Sequence, residues 1–468
     1  MTPIQRALHS ALDGRNLSRA DMVEVVGEIM DGKATPAQIG GFLVALRAKG
    51  EHIDELVGAA TAMRARALPL GVPNEARAID TCGTGGDGAG TVNISTLAAI
   101  LLAACGATVA KHGNRALSSK CGSADVLEAF GVAVDTPPEI VERSIKEVGI
   151  GFAFAPRFHA ATKHAAVPRR ELGIRTIFNL LGPLTNPANV PHQIVGVFDP
   201  RWCQPMAAAL GALGLRRAAV VCGSGGGGNS PAATGLRGAA SMSGSPGSIA
   251  VASTSAETGP RGTPPPRDAT RGVASNLVAT APTVPTALAE TGPTGTPPPR
   301  DATRGGVNGP ASPGQRGRES PLWIDELSVR GETVVALWNG AEVQTFTLSP
   351  RSFGCDDVDP AGLAGGDAAH NAAILLKVLA NHHVDHGERL EAVLQAAAMT
   401  AALGLELLDS APFEIGRLPA RYDTAITAVK SGAARLVLYK WCEVSRAAPD
   451  DDLEYLRGLK AEDFAGVE

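Results

Sequence analysis

The sequence predicts an α/β protein: a small all-helical N-terminal domain followed by a larger α/β domain with a mostly parallel sheet. Three observations predict this. Residues 1–72 carry apolar positions at helical spacing between capping signals. From Ala78 onward, short apolar runs alternate with helical ones, the pattern of parallel strands joined by crossover helices. Glycine-rich or polar loops follow two of those strands, at the carboxyl ends where ligands bind in such sheets.

In the N-terminal part, Ser18 caps a helix through Val23, Val26 and Ile29 that stops near Gly32. Thr35-Pro36-Ala37-Gln38 reads as a capping box with proline at the first helical position. That helix carries Ile39, Phe42, Leu43 and Leu46 and stops at Gly50; another runs through Ile53, Leu56, Val57 and Ala60. A strand over Ala78–Thr81 then meets a glycine loop, followed by a helical run Leu97–Ala104 ended by Gly106. Next come a strand at Ala107–Ala110, a polar loop, a helix at Ala124–Phe130 ended by Gly131, and a short run Val132–Val134. Thr136-Pro137-Pro138-Glu139 reads as a further capping box. Gln193–Phe198 and Ala218–Cys222 continue the sheet, and Glu342–Leu348 suggests a later strand. Helices are expected near Ala368–Leu379, Arg389–Leu403 and Thr424–Val429.

Composition narrows the class. With 468 residues, a net charge of -5 and 4% aromatics, neither a basic surface nor stacking platforms point to nucleic acid. The cysteines (82, 105, 121, 203, 222, 355 and 442) form no CxxC pair and are odd in number, as expected of reduced thiols in the cytoplasm. The first residues lack the apolar run of a signal peptide, and no run reaches 18 uninterrupted apolar residues, so no membrane span is expected.

Residues 224–320 differ from everything around them. Gly, Pro, Ser, Thr and Ala dominate, and AETGPRGTPPPRDATRG from Ala256 recurs as AETGPTGTPPPRDATRG from Ala289. Such a segment cannot bury enough apolar surface to offset the entropy of ordering it, so a disordered insertion grown by duplication is expected.

Four clusters carry chemistry. In Asp80-Thr81-Cys82-Gly83-Thr84-Gly85-Gly86-Asp87, glycines after a strand let backbone N–H groups close around a phosphate, although a tight structural turn has the same look. Asn93-Ile94-Ser95-Thr96 opens a helix, where free N–H groups and hydroxyls make an anion site compatible with simple capping. Lys111-His112-Gly113-Asn114-Arg115 adds cations behind a strand, with Ser118 and Ser119 nearby, which suits a polyanion. Ala155-Pro156-Arg157-Phe158-His159 leads through Lys163-His164 and Arg169–Asn179 to Gly182–Pro187. Beyond the insertion stands Asp325-Glu326, an acidic pair of the kind that binds a hard cation when phosphate oxygens complete its shell.

Taken in order, GTGGD, NIST, KHGNR, GSADVLEAFG, APRFH, RRELGIRTIFNLLGPLTNP and DELS closely resemble the anthranilate phosphoribosyltransferase family over residues 1–222 and 322–440. The resemblance implies transfer of phosphoribosyl from PRPP to the amine of anthranilate with release of pyrophosphate, the second step of tryptophan biosynthesis from chorismate. It implies a cytoplasmic homodimer with two Mg2+ ions per site, and neither nucleic acid nor membrane as a partner. The implied domains are 1–72 (helical, joined by helices from about 156–186), 73–223 with 321–445 (α/β, PRPP-binding), the 224–320 insertion and a 446–468 tail. Position by position, PRPP would be bound by Gly83, Thr84, Gly85, Gly86, Asp87, Thr91, Asn93, Ser95, Thr96, Lys111 and Ser119. Anthranilate would meet Gly83, His112, Asn114, His159 and Arg169, and the metal would meet Ser95, Asp325 and Glu326. Lys111 and Asp87 would support the transition state, while Ser123 and Ala124 read as structural.

The chain also departs from the family pattern. Cys222 stands where a histidine is usual, Trp323-Ile324 replaces a Gly-Leu step, Val167-Pro168 inverts a usual Pro-Val, and Leu379-Ala380-Asn381 lacks a usual glycine. Three rivals remain at this point. A pyrimidine nucleoside phosphorylase would not need the KHGNR, RRELGIRTIFN and DE set. A nucleic-acid-binding relative would carry basic stripes. An inactive paralogue would have its acidic pair uncoupled by the insertion.

Overall fold

The computed structural model describes residues 1–73, 75–116, 119–225, 323–381, 388–448, 451, 453–461. Nearly all of the low-complexity insertion, with its repeat, and Ser118 therefore lie outside the described residues. All described elements belong to one unit.

Four helices open the chain: α1 (Pro3–Leu12), α2 (Arg19–Met30), α3 (Pro36–Lys49) and α4 (Ile53–Arg64). Capping boxes at Thr2/Gln5, Ser18/Asp21 and Thr35/Gln38 fix the first three starts. Each closes otherwise unsatisfied N–H groups at a helix N-terminus. Met22, Val26, Ile29, Phe42, Leu46 and Leu56 are buried between them. One apolar cluster joins these side chains to Ala165, Phe178 and Leu181, so the later helices α9 (Lys163–Leu172) and α10 (Phe178–Leu184) pack on the same core, while Phe158 of α8 (Ala155–Phe158) packs in a separate cluster with Ala78, Ala110 and Ile145.

The remainder is a sheet with helices. Its strands are β1 (Ala78–Gly83), β2 (Thr108–Gly113), β3 (Ile150–Phe154), β4 (His192–Gly196), β5 (Arg217–Ser224), β6 (Trp323–Ile324), β7 (Thr333–Trp338) and β8 (Val343–Leu348). Their order is β3-β2-β1-β4-β5-β7-β8, with β6 paired to the end of β5. The first five are parallel; β7 and β8 are antiparallel additions. Connections β1–α5 (Ile94–Ala104)–β2 and β2–α6 (Ser123–Phe130)–α7 (Pro138–Val148)–β3 run to one side, and the chain then crosses to β4 on the other side of β1. That reversal makes a switch point at β1 and β4, where a crevice opens at the strand ends. α11 (Cys203–Ala212) links β4 to β5, and α12 (Ala368–Leu379), α13 (Glu388–Leu407), α14 (Leu418–Lys430), α15 (Ala433–Arg446) and a short α16 (Tyr455–Gly458) follow the sheet.

α13 is long and apolar enough over Arg389–Leu407 to cross a membrane, but 94% of that stretch is buried. Its alanines and leucines pack with Leu97 and Leu101 of α5 in the largest apolar cluster, which accounts for its composition.

Three local readings need correction. Val132–Val134 is not a strand: both valines are buried, but the edge beside β2 is occupied by β3, which the sequence reading missed along with β7. α7 is capped by Pro137 without a side-chain hydrogen bond, so Thr136 does not form the expected box. β5 extends to Ser224, whose N–H donates to the Glu332 carbonyl at 2.9 Å, one residue past the compositional boundary of the insertion. Where the usual glycine is missing after α12, Asn381 takes the left-handed conformation (φ 62), which asparagine tolerates better than most residues.

Candidate active site at the switch point

The glycine loop, the start of α5, Lys111–Asn114 and the acidic pair lie at the carboxyl ends of β1, β2 and β5 or on α5, while Ala155–His159 follows β3. The Gly83–Asp87 loop leaves β1 with Gly85 and Gly86 at φ 64 and 78, values that would strain any residue with a Cβ. Thr84 N–H donates to the Gly196 carbonyl at the end of β4 (2.8 Å), tying the loop across the switch point. Thr91 bridges Ala364, and Val92 N–H donates to the Leu363 carbonyl at 2.9 Å, fixing the approach to α5. Asn93 caps α5 without a side-chain bond to it; its amide instead engages Cys121 and Asn371, the latter at 3.0 Å. At the start of α5 the Ile94 N–H donates to the Val92 carbonyl (2.7 Å) and the Thr96 N–H to the Asn93 carbonyl (3.1 Å).

Asp325 and Glu326 reach the same place from the far side of the insertion. β6 pairs antiparallel with the end of β5, Ser224 opposite Trp323 and Gly223 opposite Ile324, so the pair emerges beside β1. Asp325 Oδ2 accepts from Gly85 N–H at 2.8 Å, and Glu326 Oε1 accepts from Ser95 N–H at 3.3 Å. Asp325 N–H donates to Asp87 Oδ2 at 3.3 Å. Three glycines make this possible: a Cβ at Gly83, Gly196 or Gly223 would collide with Asp325 or Glu326 atoms. Trp323-Ile324 thus preserves the seat that the resemblance places there.

These carboxylates are packed against one another with little neutralising charge. Burial, then the Asp87 charge, pushes Asp325 up to about 7, and burial followed by the Asp325 charge holds Glu326 well above the usual range. The described residues contain no group of three His, Cys, Asp or Glu side chains placed to hold a metal by themselves. Two carboxylates and the Ser95 hydroxyl are hard oxygen donors that suit a divalent cation whose remaining ligands come from a phosphate.

Lys111 is 1% exposed at the end of β2. Its Nζ donates to the Thr81 carbonyl and, at 3.3 Å, to Ser95 Oγ. Burial lowers its pKa while the charges of Asp80, Cys82 and Glu326 oppose that shift. Asp80, which the site reading left out, is the counter-charge. It accepts from His112 N–H (3.2 Å), Asn186 Nδ2 (2.8 Å) and Gln193 Nε2 (3.2 Å) and so fastens β1, β2, β4 and the Gly182–Pro187 segment. A lone acid inside an apolar strand was the sequence signal for it. Asn371, equally unmarked, had no comparable signal.

His112 and His159 are buried with ring centroids 5.0 Å apart. Each ring bonds a backbone carbonyl, of Gly182 and Thr185 respectively, and neither Nε2 has a partner. Burial depresses them to about 3 and about 4, so both rings are neutral with an open acceptor. Arg169 lies over the Phe178 ring at 5.0 Å. Asn114 is exposed at the end of β2, where its carbonyl accepts from Ser123 Oγ and Ala124 N–H, and Ser119 is exposed beyond it. Arg115 does not join the other cations; it pairs with Glu128 and Asp125 on α6. The buried hydroxyls of Thr84, Thr96 and Thr176 also lack partners. Orphaned buried polar atoms are rare in folded proteins; here Thr84 belongs to the glycine loop, Thr96 to the first turn of α5 and His112 to β2 beside Lys111.

Comparison with known proteins agrees with the geometry. Residues 5–67 match the helical bundle domain of a glycosyl transferase family, and residues 75–251 match its a/b domain. A solved anthranilate phosphoribosyltransferase from Thermus thermophilus is 32% identical, with 94% of this chain and 99% of that one covered at a TM-score of 0.66. This chain belongs to the anthranilate phosphoribosyltransferase family. An anthranilate phosphoribosyltransferase from Anaeromyxobacter sp. (strain Fw109-5) is 58% identical over 222 residues, and one from Moorella thermoacetica is 57% identical over 223. Those stretches span 47% and 48% of this chain and 66% of each relative, just under two thirds of their length. The Saccharomyces cerevisiae anthranilate phosphoribosyltransferase in complex with PRPP and Mg shares the fold at 21% identity and a TM-score of 0.65.

Proposed function

We propose that this protein transfers the phosphoribosyl group of PRPP to the amine of anthranilate, giving N-(5-phosphoribosyl)anthranilate and pyrophosphate, in the second step of tryptophan biosynthesis from chorismate. The observation that carries the reading is the seating of Asp325 and Glu326 on Gly85 and Ser95 despite the intervening insertion. It speaks against an inactive paralogue, whose acidic pair would stand away from the phosphate loops.

PRPP would lie over Gly83–Asp87, with Thr91, Asn93, Ser95, Thr96 and Ser119 along its phosphates. Lys111 reaches from β2 to Thr81 of β1 and Ser95 of α5, where it would meet the leaving pyrophosphate. Magnesium fits Ser95, Asp325 and Glu326; when bound, it neutralises charge on the leaving group. Asp87 stands beside Asp325, placed to steady the ribose as positive charge develops at its reacting carbon. The amine of anthranilate is neutral near pH 7 and needs orientation more than deprotonation. Arg169 supplies a guanidinium for its carboxylate, with Gly83, Asn114 and the neutral rings of His112 and His159 around it. A second Mg2+ ion per site, a homodimer in the cytoplasm and the domain limits given above complete the proposal.

Anthranilate fluorescence tests it. Consumption should require both PRPP and Mg2+, and the Asp325→Asn/Glu326→Gln double variant should lose about 100-fold or more in kcat/KM, in line with removal of a main electrostatic element. A folded wild-type chain that consumes no anthranilate would sink the proposal.

A further inference from the structure

Arg175 stands between α9 and α10, with its guanidinium 4.2 Å from the centroid of the Phe198 ring. A Cβ on Gly86 would lie 3.3 Å from its Nε and Nη2, so the cation abuts the glycine loop itself. Gly86 is thus needed twice, for its φ of 78 and for the approach of this arginine. Asp199, an acid within reach of Arg175's charge, already holds Arg201 with both oxygens at 2.7 to 3.1 Å. Arg175 makes no ion pair or hydrogen bond among the described residues, and it is exposed. Two other cations of the sequence clusters are engaged otherwise: Lys111 with Thr81 and Ser95, Arg115 with acids of α6. Next to it, the Thr176 hydroxyl is buried and unpartnered, as is that of Thr84 in the loop.

A guanidinium held flat by an aromatic ring loses little freedom on binding and presents a fork of N–H donors that matches phosphate oxygens. Stacking fixes its plane without consuming those donors, which an ion pair would do. Its donors border the loop whose backbone amides suit the same anion.

We propose that Arg175 is a further binding residue for the diphosphate group of PRPP, closing on it across Gly86 with Phe198 as the platform that sets its plane. This rests on the proposed function. A contact with the departing diphosphate strengthens as charge collects there, so it acts on kcat as well as on binding.

Calorimetry with PRPP, and separately with inorganic pyrophosphate, each with Mg2+, tests it on the wild-type chain, Arg175→Ala, Arg175→Lys and Phe198→Leu. Arg175→Ala should weaken both ligands about 10-fold or more, the usual scale for a lost charge-assisted contact. The KM for anthranilate and the melting temperature should stay unchanged. Lysine should restore part of the affinity, and Phe198→Leu should cost less than Arg175→Ala. Unchanged affinity for both ligands in Arg175→Ala would overturn the assignment while leaving the transferase reading intact. A fall in melting temperature with a matching rise in the anthranilate KM would overturn it too, in favour of a structural role. A folded wild-type chain that binds neither ligand would overturn both readings together.

Discussion

At the scale of single residues, the site concentrates groups whose ordinary ionisation burial has altered. His112 and His159 are the clearest, held neutral among packed side chains and depressed to about 3 and about 4. A histidine depressed in the folded state takes up its proton more readily when the chain unfolds. The stability this contributes is present above the unfolded value near 6.5 and is lost as pH falls toward 4 and 3. Denaturant titrations between pH 7 and 4 should therefore show stability falling by up to about 1.4 kcal/mol per pH unit for each ring. His112→Asn should flatten that slope, and an unchanged slope would show that other groups dominate. Asp325 and Glu326 shift the opposite way, for burial and mutual repulsion favour their protonated forms.

At the scale of elements, strand ends made of glycine decide where the acidic pair sits. Gly83, Gly196 and Gly223 end or nearly end β1, β4 and β5, and each lacks the Cβ that would strike the Asp325–Glu326 backbone or side chains. Gly196→Ala should force the Asp325 carbonyl aside while leaving the strand's hydrogen bonds in place. A displacement of about 1 Å at a catalytic group costs on the order of 100-fold. The variant should thus keep its circular dichroism spectrum and lose kcat/KM by about that factor; wild-type activity would mean that the loop can shift freely. Much of this element level was legible in the sequence. The helix starts at Ser18 and Thr35, the strand before the glycine loop and the apolar α5 all follow from spacing and capping. β3 and the true status of Val132–Val134 were not, because burial among neighbours gives valine the same local pattern as a strand and only pairing with β2 distinguishes them. β7 was hidden similarly: its run follows the insertion, and its antiparallel pairing with β5 is a contact far away in sequence.

At the scale of the whole molecule, the question is how a chain interrupted between residues 225 and 323 still completes one site. Ser224 and Trp323 are partners across an antiparallel pair, so the two ends are held next to each other by the sheet itself. The entropy of closing a flexible loop grows by only about 0.6 kcal/mol for each doubling of its length. Replacing residues 225–322 with a two-residue Asn-Gly turn, which suits a tight antiparallel connection, should leave a folded and active protein. Its unfolding free energy should rise by roughly 3 kcal/mol from the shorter closure, measured by urea denaturation. Loss of activity in a folded, shortened chain would show that the excised residues contribute to the site.

By itself, the sequence determined the class of fold, the family resemblance and the motif residues, because these depend on local spacing, backbone freedom and composition. Only the tertiary structure decided that Asp325 and Glu326 close on Gly85 and Ser95, that Arg115 turns away to α6 and that Arg175 turns toward Gly86. It also made Asp80 the buried tie among three strands. Each of those outcomes depends on which strand ends meet at the switch point, and long-range pairing sets that arrangement where nearest-neighbour preference cannot.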